Sequence, residues 1–390
     1  MNIIIYNGNL KPPHFVNLLA NKLGEKEHNV FLLGTANQFF RKKKRALVFI
    51  ATDSNKIHLL VIHLFLNGFG LFFTKPQFFL KFIKLLFNSE KSIRIKVKQF
   101  LIWSKLIIIK ADVVHIQWAS HLILFEEILE EPLFKTVISL RGRLVNVSPY
   151  IDANLKELYI RNFQKVDAIH AVSKDILYNL KKLNIKVKKE RVIYSGVDLE
   201  NIPTKENYDN NGTLKVLSIG RFNWIKGYDY ALRAIKILIQ KNIDIQYTII
   251  AKGENEEIIY LIDELGLQKN VSIISELANK EVLNKMASSD LLLLPSISEG
   301  LANVVLEALA VGLPVLSSDC GGMIEVIKHN KNGWLFENRN SENMAFVIEE
   351  ILKKDKKIVE KLVKNGKEYI NKNHNLVQMC DQMIELYHEL

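Results

Sequence analysis

Cysteine is scarce: Cys320 and Cys380 are the only two in 390 residues. Two thiols build neither a disulfide scaffold nor a four-ligand zinc site, and they fit a reducing compartment. Long uninterrupted apolar runs are also missing. The nearest, Leu59 to Phe73, is short and holds His63, Asn67, Gly68 and Gly70, so no spanning helix is expected. The opening MNIIIYNGNL has no basic start and no long apolar stretch, so no secretory signal is expected. Heptads, fixed-period repeats and low-complexity tracts are absent. Exported, collagen, coiled-coil and integral membrane classes are disfavoured. Motif absences narrow the field further. No G-x-G-x-x-G opens either half, which disfavours a dehydrogenase, and no G-x-S-x-G suits a Ser-His-Asp hydrolase. There is no Walker loop, and no D-x-D to hold a divalent metal on a diphosphate.

What is present is a globular composition, 48% hydrophobic and 24% charged, long enough for two domains. The formal net charge of +11 is concentrated locally. From Arg41 to Lys110 fifteen Lys or Arg face only Asp53 and Glu90. This basic tract includes KPQFFLKFIKLLFNSEKSIRIKVKQFLIWSKLIIIK, in which Phe78, Phe79, Phe82, Ile83, Leu86 and Phe87 fall at helical spacing beside Lys75, Lys81 and Lys84. Such a helix suits an anionic bilayer surface. The plainer reading is a core-facing helix with solvated lysines. No helix-turn-helix, RNP or zinc-finger spacing supports a nucleic-acid partner.

Short apolar runs alternate with amphipathic segments. Strands are expected at the N-terminus, Asn29 to Leu33, Asp112 to Gln117, Thr136 to Leu140 and Ala168 to Val172, with helices over His14 to Leu23 and Tyr150 to Lys165. Asp198 to Thr213 is polar and aperiodic, as a linker is. Strands are then expected at Lys215 to Ile219, Gln246 to Ala251, Val271 to Ile274, Leu291 to Leu294 and Pro314 to Ser318. Helices fall at Tyr228 to Lys241, Glu256 to Leu265, Lys280 to Ser288 and Ala302 to Val311. The pattern predicts two doubly wound α/β halves, with ligands beyond the carboxyl ends of the strands and a cleft between the halves as the default site.

The most informative segment is PSISEGLANVVLEALAVGLPVLSSDCGG, Pro295 to Gly322. A fully apolar strand is followed by Glu299, Gly300 and then a helix. The amides of Gly300, Leu301 and Ala302 should point free from the helix start, ready for a diphosphate. Glu299 and Glu307 bracket that anion site and suit hydroxyl groups, a sugar on one side and a ribose on the other. Read singly, Glu299 is also a dipole-favoured carboxylate and Glu307 a solvated helix residue. The second segment is SIGRFNWIKG, Ser218 to Gly227. A strand ends at Gly220, and Arg221 and Lys226 follow. Two cations there would neutralise the charge that grows on a diphosphate leaving group; taken alone they are also ordinary surface charges.

Together, G-R-x-x-x-x-K-G and P-S-x-x-E-G, with its later E-A-x-A-x-G-x-P-V, resemble the retaining, nucleotide-sugar-dependent glycosyltransferases of family 4, with the GT-B fold. KVDAIHAVSKDI (Lys165 to Ile176) and VIYSGVDLENI (Val192 to Ile202) fit the family in order, Ser195 standing where Asn is usual. The resemblance implies two Rossmann-like domains facing a central cleft: an acceptor-binding domain over 1–197, a linker over 198–213, a nucleotide-sugar-binding domain over 214–370, and a C-terminal helix, 371–390, packing back on the first. By this resemblance Arg221 and Lys226 contact the diphosphate, Glu299 the donor sugar with the backbone of Gly300 to Ala302, and Glu307 the ribose. The turn around Gly8 approaches the donor from the first domain. Gln117 stands where the family commonly has an active-site His. It cannot shuttle a proton but can hydrogen-bond a sugar. His121, four residues on, is a candidate substitute, while His115 reads more simply as a satisfied core histidine. Arg141, in SLRGR, is a candidate for phosphate or an acidic acceptor, or a surface loop cation. Ala251-Lys252-Gly253-Glu254 departs from the family's G-x-G.

The function expected is transfer of a sugar from a nucleotide diphosphate sugar to a lipid-linked or cell-envelope glycan, without metal or other cofactor. It is expected in the cytoplasm, peripheral on an anionic membrane face. A phosphorylase, a sugar-nucleotide epimerase of the same fold, and a non-catalytic glycan- or lipid-binding relative stay open.

Overall fold

In a computed structural model of the protein, the described residues are 1–36, 41–44 (backbone only), 47–200, 202–208 and 212–390. The chain forms two compact units. The first takes Met1–Val172, Ile176–Ile193 and Cys380–Leu390; the second takes Ser173–Asp175 and Tyr194–Met379. Part of the expected linker, 201 and 209–211, falls outside the described residues. The rest of 198–213 belongs with the second unit, where Lys205 is buried against Asp290 at 3.3 Å.

Unit 1 is an eight-stranded sheet. Its strands are β1 (Asn2–Asn9), β2 (Asn29–Thr35), β3 (Arg41–Lys44), β4 (Leu47–Ala51), β5 (Val113–Ile116), β6 (Lys135–Leu140), β7 (Ala168–Ala171) and β8 (Glu190–Val192). The order is β3-β4-β2-β1-β5-β6-β7-β8, parallel throughout except the β3–β4 pair. The central strands are buried on both faces. Ile3, Ile4 and Ile5 in β1, and every residue of β5, are shielded from water, as parallel strands covered by helices require. The first helix, α1 (His14–Glu25), returns the chain from β1 to β2. Three helices then cross from β4 to β5: α2 (Ile57–Thr74), α3 (Pro76–Asn88) and α4 (Ile93–Ile109).

Unit 2 holds β9 (Leu214–Arg221), β10 (Ile245–Lys252), β11 (Val271–Ile274), β12 (Leu291–Leu294), β13 (Val315–Ser318) and β14 (Trp334–Phe336), in the order β11-β10-β9-β12-β13-β14, all parallel. Read from its first strand this is the 3-2-1-4-5-6 order of a dinucleotide-type sheet. Two apolar clusters pack on the strands. One gathers Ala231, Ile235 and Leu238 of the Tyr228–Gln240 helix, and the other Val305, Leu306 and Leu309 of the Asn303–Val311 helix. That second helix stops at Gly312, whose φ of +90° suits a glycine cap, and Pro314 lies just beyond. The expected pair of doubly wound α/β domains is thus present.

Two expectations need correction. Tyr150 to Lys165 is not one helix. It breaks at Asp152, which is extended and whose carboxylate accepts from the Leu155 amide at 3.0 Å, starting the Ala153–Asn162 helix afresh. The apolar run near Leu59 is not short. His63, Asn67 and the two glycines do not interrupt an eighteen-residue helix, which by length and composition alone could cross a membrane and is only 17% buried. Asn67 donates its side-chain amide to the His63 carbonyl at 2.6 Å, so the polar residue is satisfied along the helix axis.

Candidate functional site

In unit 2 the strand order reverses beside β9, between β10 and β12. Doubly wound sheets open a crevice at that point, beyond the strand ends. β9 ends at Gly220–Arg221, and β12 runs out into Pro295–Glu299. The Arg221 side chain is exposed and makes no ion pair among the described residues. Gly220 is required by packing, because a Cβ there would come 2.8 Å from the Tyr228 hydroxyl and 3.4 Å from Lys226 Cε. Gly227 has φ of +63°, and a Cβ would meet the Pro295 carbonyl oxygen at 2.1 Å. The two loops are locked together there, and the Ile297 amide donates to the Ile225 carbonyl at 2.7 Å.

This interlock brings Lys226 and Glu299 together. Lys226 Nζ donates to Glu299 Oε1 at 2.5 Å, with both side chains mostly shielded. Ser296 Oγ donates to the same oxygen at 2.7 Å, and Ser318 Oγ holds the Ser296 carbonyl at 2.5 Å. The sequence points Lys226 at a phosphate and Glu299 at a sugar separately. In the structure each neutralises the other, as two charges in a water-poor site must. Behind Glu299 the amides of Gly300, Leu301 and Ala302 donate to no described group, and the Asn303–Val311 helix has no side-chain cap. These free donors lie at the positive, amino-terminal end of the helix dipole, where an anion is favoured. One turn on, Glu307 is half-buried with no hydrogen bond or ion pair among the described residues, and burial pushes its carboxyl up to about 7.

The floor under this turn is Gly321–Gly322, which the sequence reading did not nominate. A Cβ on Gly321 would meet the Glu299 carbonyl oxygen at 2.0 Å, and one on Gly322 the Gly300 carbonyl oxygen at 1.9 Å. The paired glycines after Cys320 were the visible signal. An open pocket of about 830 Å³ adjoins the same loops. Its lining includes Phe222, Trp224, Tyr228, Tyr230, Glu254 and Ile297. The four aromatics all come from one stretch, 222–230, two of them within SIGRFNWIKG, while Glu254 and Ile297 join them from two other loops. Gly253, φ +121°, lies under Phe222, and Lys252 turns aside to Glu276 at 2.8 Å. A second pocket, of about 430 Å³ near Thr213, Lys215 and Asp290, lies at the amino ends of the strands and holds none of the nominated residues.

In unit 1 the corresponding reversal lies between β2, β1 and β5. β1 ends in the Asn7–Gly8–Asn9 turn, pinned by Trp118, whose indole donates to Asn7 Oδ1 at 3.0 Å. Gly8 and His121 are brought into contact: φ is +87°, and a Cβ would come 2.2 Å from the imidazole. Burial, with Lys98 adding to it, lowers His121 to about 4, so it is a neutral ring at pH 7. Gln117 is fully buried. Its carbonyl oxygen accepts from Arg141 at 3.1 Å, and its amide nitrogen has no partner among the described residues. The Arg141 guanidinium lies 4.3 Å over the Phe15 ring and meets no carboxylate among the described residues. Burial lowers it to about 10, so it stays cationic. Arg141 is therefore no surface loop cation.

His115 is the satisfied core histidine the sequence suggests. Nδ1 lies 2.6 Å from the Tyr387 hydroxyl and Nε2 lies 2.7 Å from Ser139 Oγ. Among the described residues no cluster of three His, Cys, Asp or Glu could hold a metal ion.

Residues 202–369, within unit 2, match the family model for Glycosyl transferases group 1. The amylovoran biosynthesis glycosyltransferase AmsK of Erwinia amylovora is 29% identical over 200 residues, covering 50% of this chain and 49% of that protein. The chain spans about half the length or less of the first curated relatives it matches. Among solved structures, sucrose-phosphate synthase from Thermosynechococcus elongatus superposes with a TM-score of 0.77 at 15% identity, covering 100% of this chain and 98% of that one. Anabaena Alr3699/HepE, solved in complex with UDP-glucose, gives 0.73 at 16% identity, covering 100% of each chain. These likenesses establish the fold, two Rossmann-like parallel-sheet domains of the GT-B kind. The family match makes residues 202–369 of unit 2 similar to group 1 glycosyltransferases.

Proposed function

We propose that the protein is a retaining glycosyltransferase of family 4, moving a sugar from a nucleotide diphosphate sugar to a lipid-linked or cell-envelope glycan at an anionic membrane face. The observation that carries the reading is the turn before the Asn303–Val311 helix. It joins three undonated amides to a paired Lys226 and Glu299, with an unpartnered Glu307 one turn along the helix. The amides and Arg221 take the diphosphate. As the donor arrives, Lys226 leaves Glu299 for the phosphate oxygens, and the freed carboxylate accepts sugar hydroxyls. Glu307 takes the ribose hydroxyls, and the aromatic pocket by Phe222 and Trp224 suits the base. Charge growing on the leaving phosphate is met by fixed cations and dipoles, so no metal is needed. The bond from the sugar to the phosphate oxygen breaks as the acceptor oxygen bonds on the same face, and that phosphate oxygen takes the acceptor's proton.

Unit 1 serves the acceptor. Arg141, a buried cation without a carboxylate, suits a phosphate or an acidic sugar. Gln117 orients it, and neutral His121 by Gly8 offers a hydrogen bond. One observation favours a second reading, a non-catalytic sugar-nucleotide binder: Gln117 cannot carry a proton. Release of nucleoside diphosphate from a panel of nucleotide sugars separates the two. Release that needs added acceptor, persists with EDTA and disappears in Glu299→Ala supports transfer. Tight nucleotide binding without turnover of any donor supports the binder.

A further inference from the structure

The α2 helix is turned inside out. Its buried stripe is His63, Asn67 and Leu71, one residue every fourth position. The apolar residues Val61, Phe65, Leu66, Phe69, Phe72 and Phe73 are exposed, Phe65 at 69%. A helix built for water does the reverse. Next to it, α3 buries Phe82 and Leu86 and presents Leu80, Ile83, Lys84 and Phe87 on one outer face, Phe87 at 86%. The rings join the two helices into one patch: Phe69 to Phe73 at 4.4 Å, Phe72 to Phe73 at 5.2 Å and Phe72 to Phe79 at 5.3 Å. Exposed apolar surface this continuous marks a contact with something other than water.

Charge identifies the occupant. Between Ile57 and Asn88 there is no Asp or Glu. The lysines that turn inward are neutralised: Lys81 pairs with Glu131, Lys91 with Glu126 and Glu127, and Lys98 with Asp53. Lys56 before α2, Lys75 between the helices and Lys84 on α3 are exposed and make no ion pair among the described residues. A second copy of the same face would set lysine against lysine. Anionic lipid supplies both an acyl layer for the rings and phosphate for the lysines.

We propose that α2 and α3 form a docking face that lies in the plane of an anionic bilayer, with the phenylalanine rings inserted and Lys56, Lys75 and Lys84 at the headgroups. The helix does not span. Eighteen residues reach ~27 Å, just short of the ~30 Å apolar layer. Both ends are tied to the sheet, through β4 on one side and through α3, α4 and β5 on the other. Spanning would also carry the buried His63 and Asn67 into lipid. This deepens the reading of a membrane-borne acceptor and can be tested without it.

The test is flotation of the full chain with phosphatidylcholine vesicles, with and without phosphatidylglycerol, at low and high salt, with no sugar donor or acceptor. Capture is expected only with phosphatidylglycerol, weakened by salt and reversed by alkaline carbonate. The combined Phe65→Ser, Phe69→Ser and Phe87→Ser variant, and separately Lys56→Glu with Lys75→Glu and Lys84→Glu, should each lose about tenfold or more in vesicle affinity. Circular dichroism and gel filtration check that both remain folded, and the two variants act on different forces. Indifference to anionic lipid, capture unchanged in both variants, or retention through carbonate overturns the proposal. A protein dimer abolished by the Phe substitutions does so too. Failure here leaves sugar transfer standing, and a protein that floats but turns over no donor sinks only the transfer reading.

Discussion

Glu299 and Lys226 hold each other in the described state, and the chemistry assigns them different partners once a donor is bound. That exchange has a measurable signature. Glu299→Gln keeps the shape and the Ser296 contact but releases Lys226 to a phosphate. Transfer is expected to fall about 10²- to 10³-fold, while affinity for the nucleoside diphosphate alone stays level or rises, read by calorimetric titration. Loss of nucleotide binding in a folded variant would assign Glu299 a merely structural place. Glu307 makes a second prediction, through pH. Its carboxyl titrates near 7 in the folded chain against an ordinary 4.5. The folded state thus binds the proton more tightly than the unfolded one. Stability from this group is full below about pH 4.5 and is lost as pH rises through 7. Glu307→Gln should therefore stabilise unit 2 at pH 8 by up to about 3 kcal/mol, with little effect at pH 4. Thermal melts at the two pH values check the sign. The same variant should bind nucleotide more weakly, because ionised carboxylate is the better acceptor for ribose hydroxyls.

At the scale of elements, the donor-side loops stand on glycines. Gly322→Ala places a methyl 1.9 Å from the Gly300 carbonyl oxygen, which is backbone and cannot swing aside. The turn carrying Glu299 must move, and a shift near 1 Å at a site of this kind costs about 10²-fold in rate. We expect folded protein, with kcat/KM for the donor reduced by that order; unchanged kinetics would mean that the amide cradle is not used. The motif from Pro295 to Gly312 was readable in the sequence because strand, turn and helix are consecutive there, and Leu291–Leu294 and Gly312 punctuate them. The doubly wound alternation of unit 2 was legible in the same way, but its strand order and the β14 edge strand were not. Gly321–Gly322 was not readable as floor, because its contact with Glu299 and Gly300 spans about twenty residues and no periodicity records it. The Lys226–Glu299 pair, 73 residues apart, was hidden for the same reason. The α2 helix misled in a different way. Its His and Asn read as interruptions of an apolar run, whereas they are the inward stripe, and the apolar residues mark the outside.

Across the whole molecule, the two units respond differently to acid. Unit 1 encloses a chain of hydrogen bonds whose direction can be deduced. His170 Nε2 faces only the Ile193 carbonyl at 2.9 Å, so it donates, and Nδ1 must accept from Ser139 Oγ at 2.8 Å. Ser139 then accepts from His115 Nε2, which leaves His115 Nδ1 to accept from Tyr387. Both rings must be neutral, since an added proton would set donor against donor. Burial first, then neighbouring charge, lowers His115 well below its usual range and takes His170 to about 3. With His121 at about 4, three rings in unit 1 stay neutral while the unfolded chain protonates near 6.5. Their contribution is present above pH 6.5 and is lost as pH falls toward 4, at up to about 1.4 kcal/mol per unit for each. In unit 2 the lowered His374 acts the same way, but Glu307 gains over that range and offsets it. Unit 1 should therefore weaken first. Trp103, fully buried in unit 1, and Trp334, buried in unit 2, supply separate fluorescence probes once the other tryptophans are replaced by Phe. Between pH 7.5 and 5.5 the urea midpoint read by Trp103 should fall clearly below that read by Trp334. Tyr387→Phe, which leaves His115 Nδ1 without its donor, should lower the unit 1 midpoint at both pH values by about 1–3 kcal/mol equivalent. Midpoints that fall together with acid would mean that the units unfold as one and that the histidine chain does not set the acid limit.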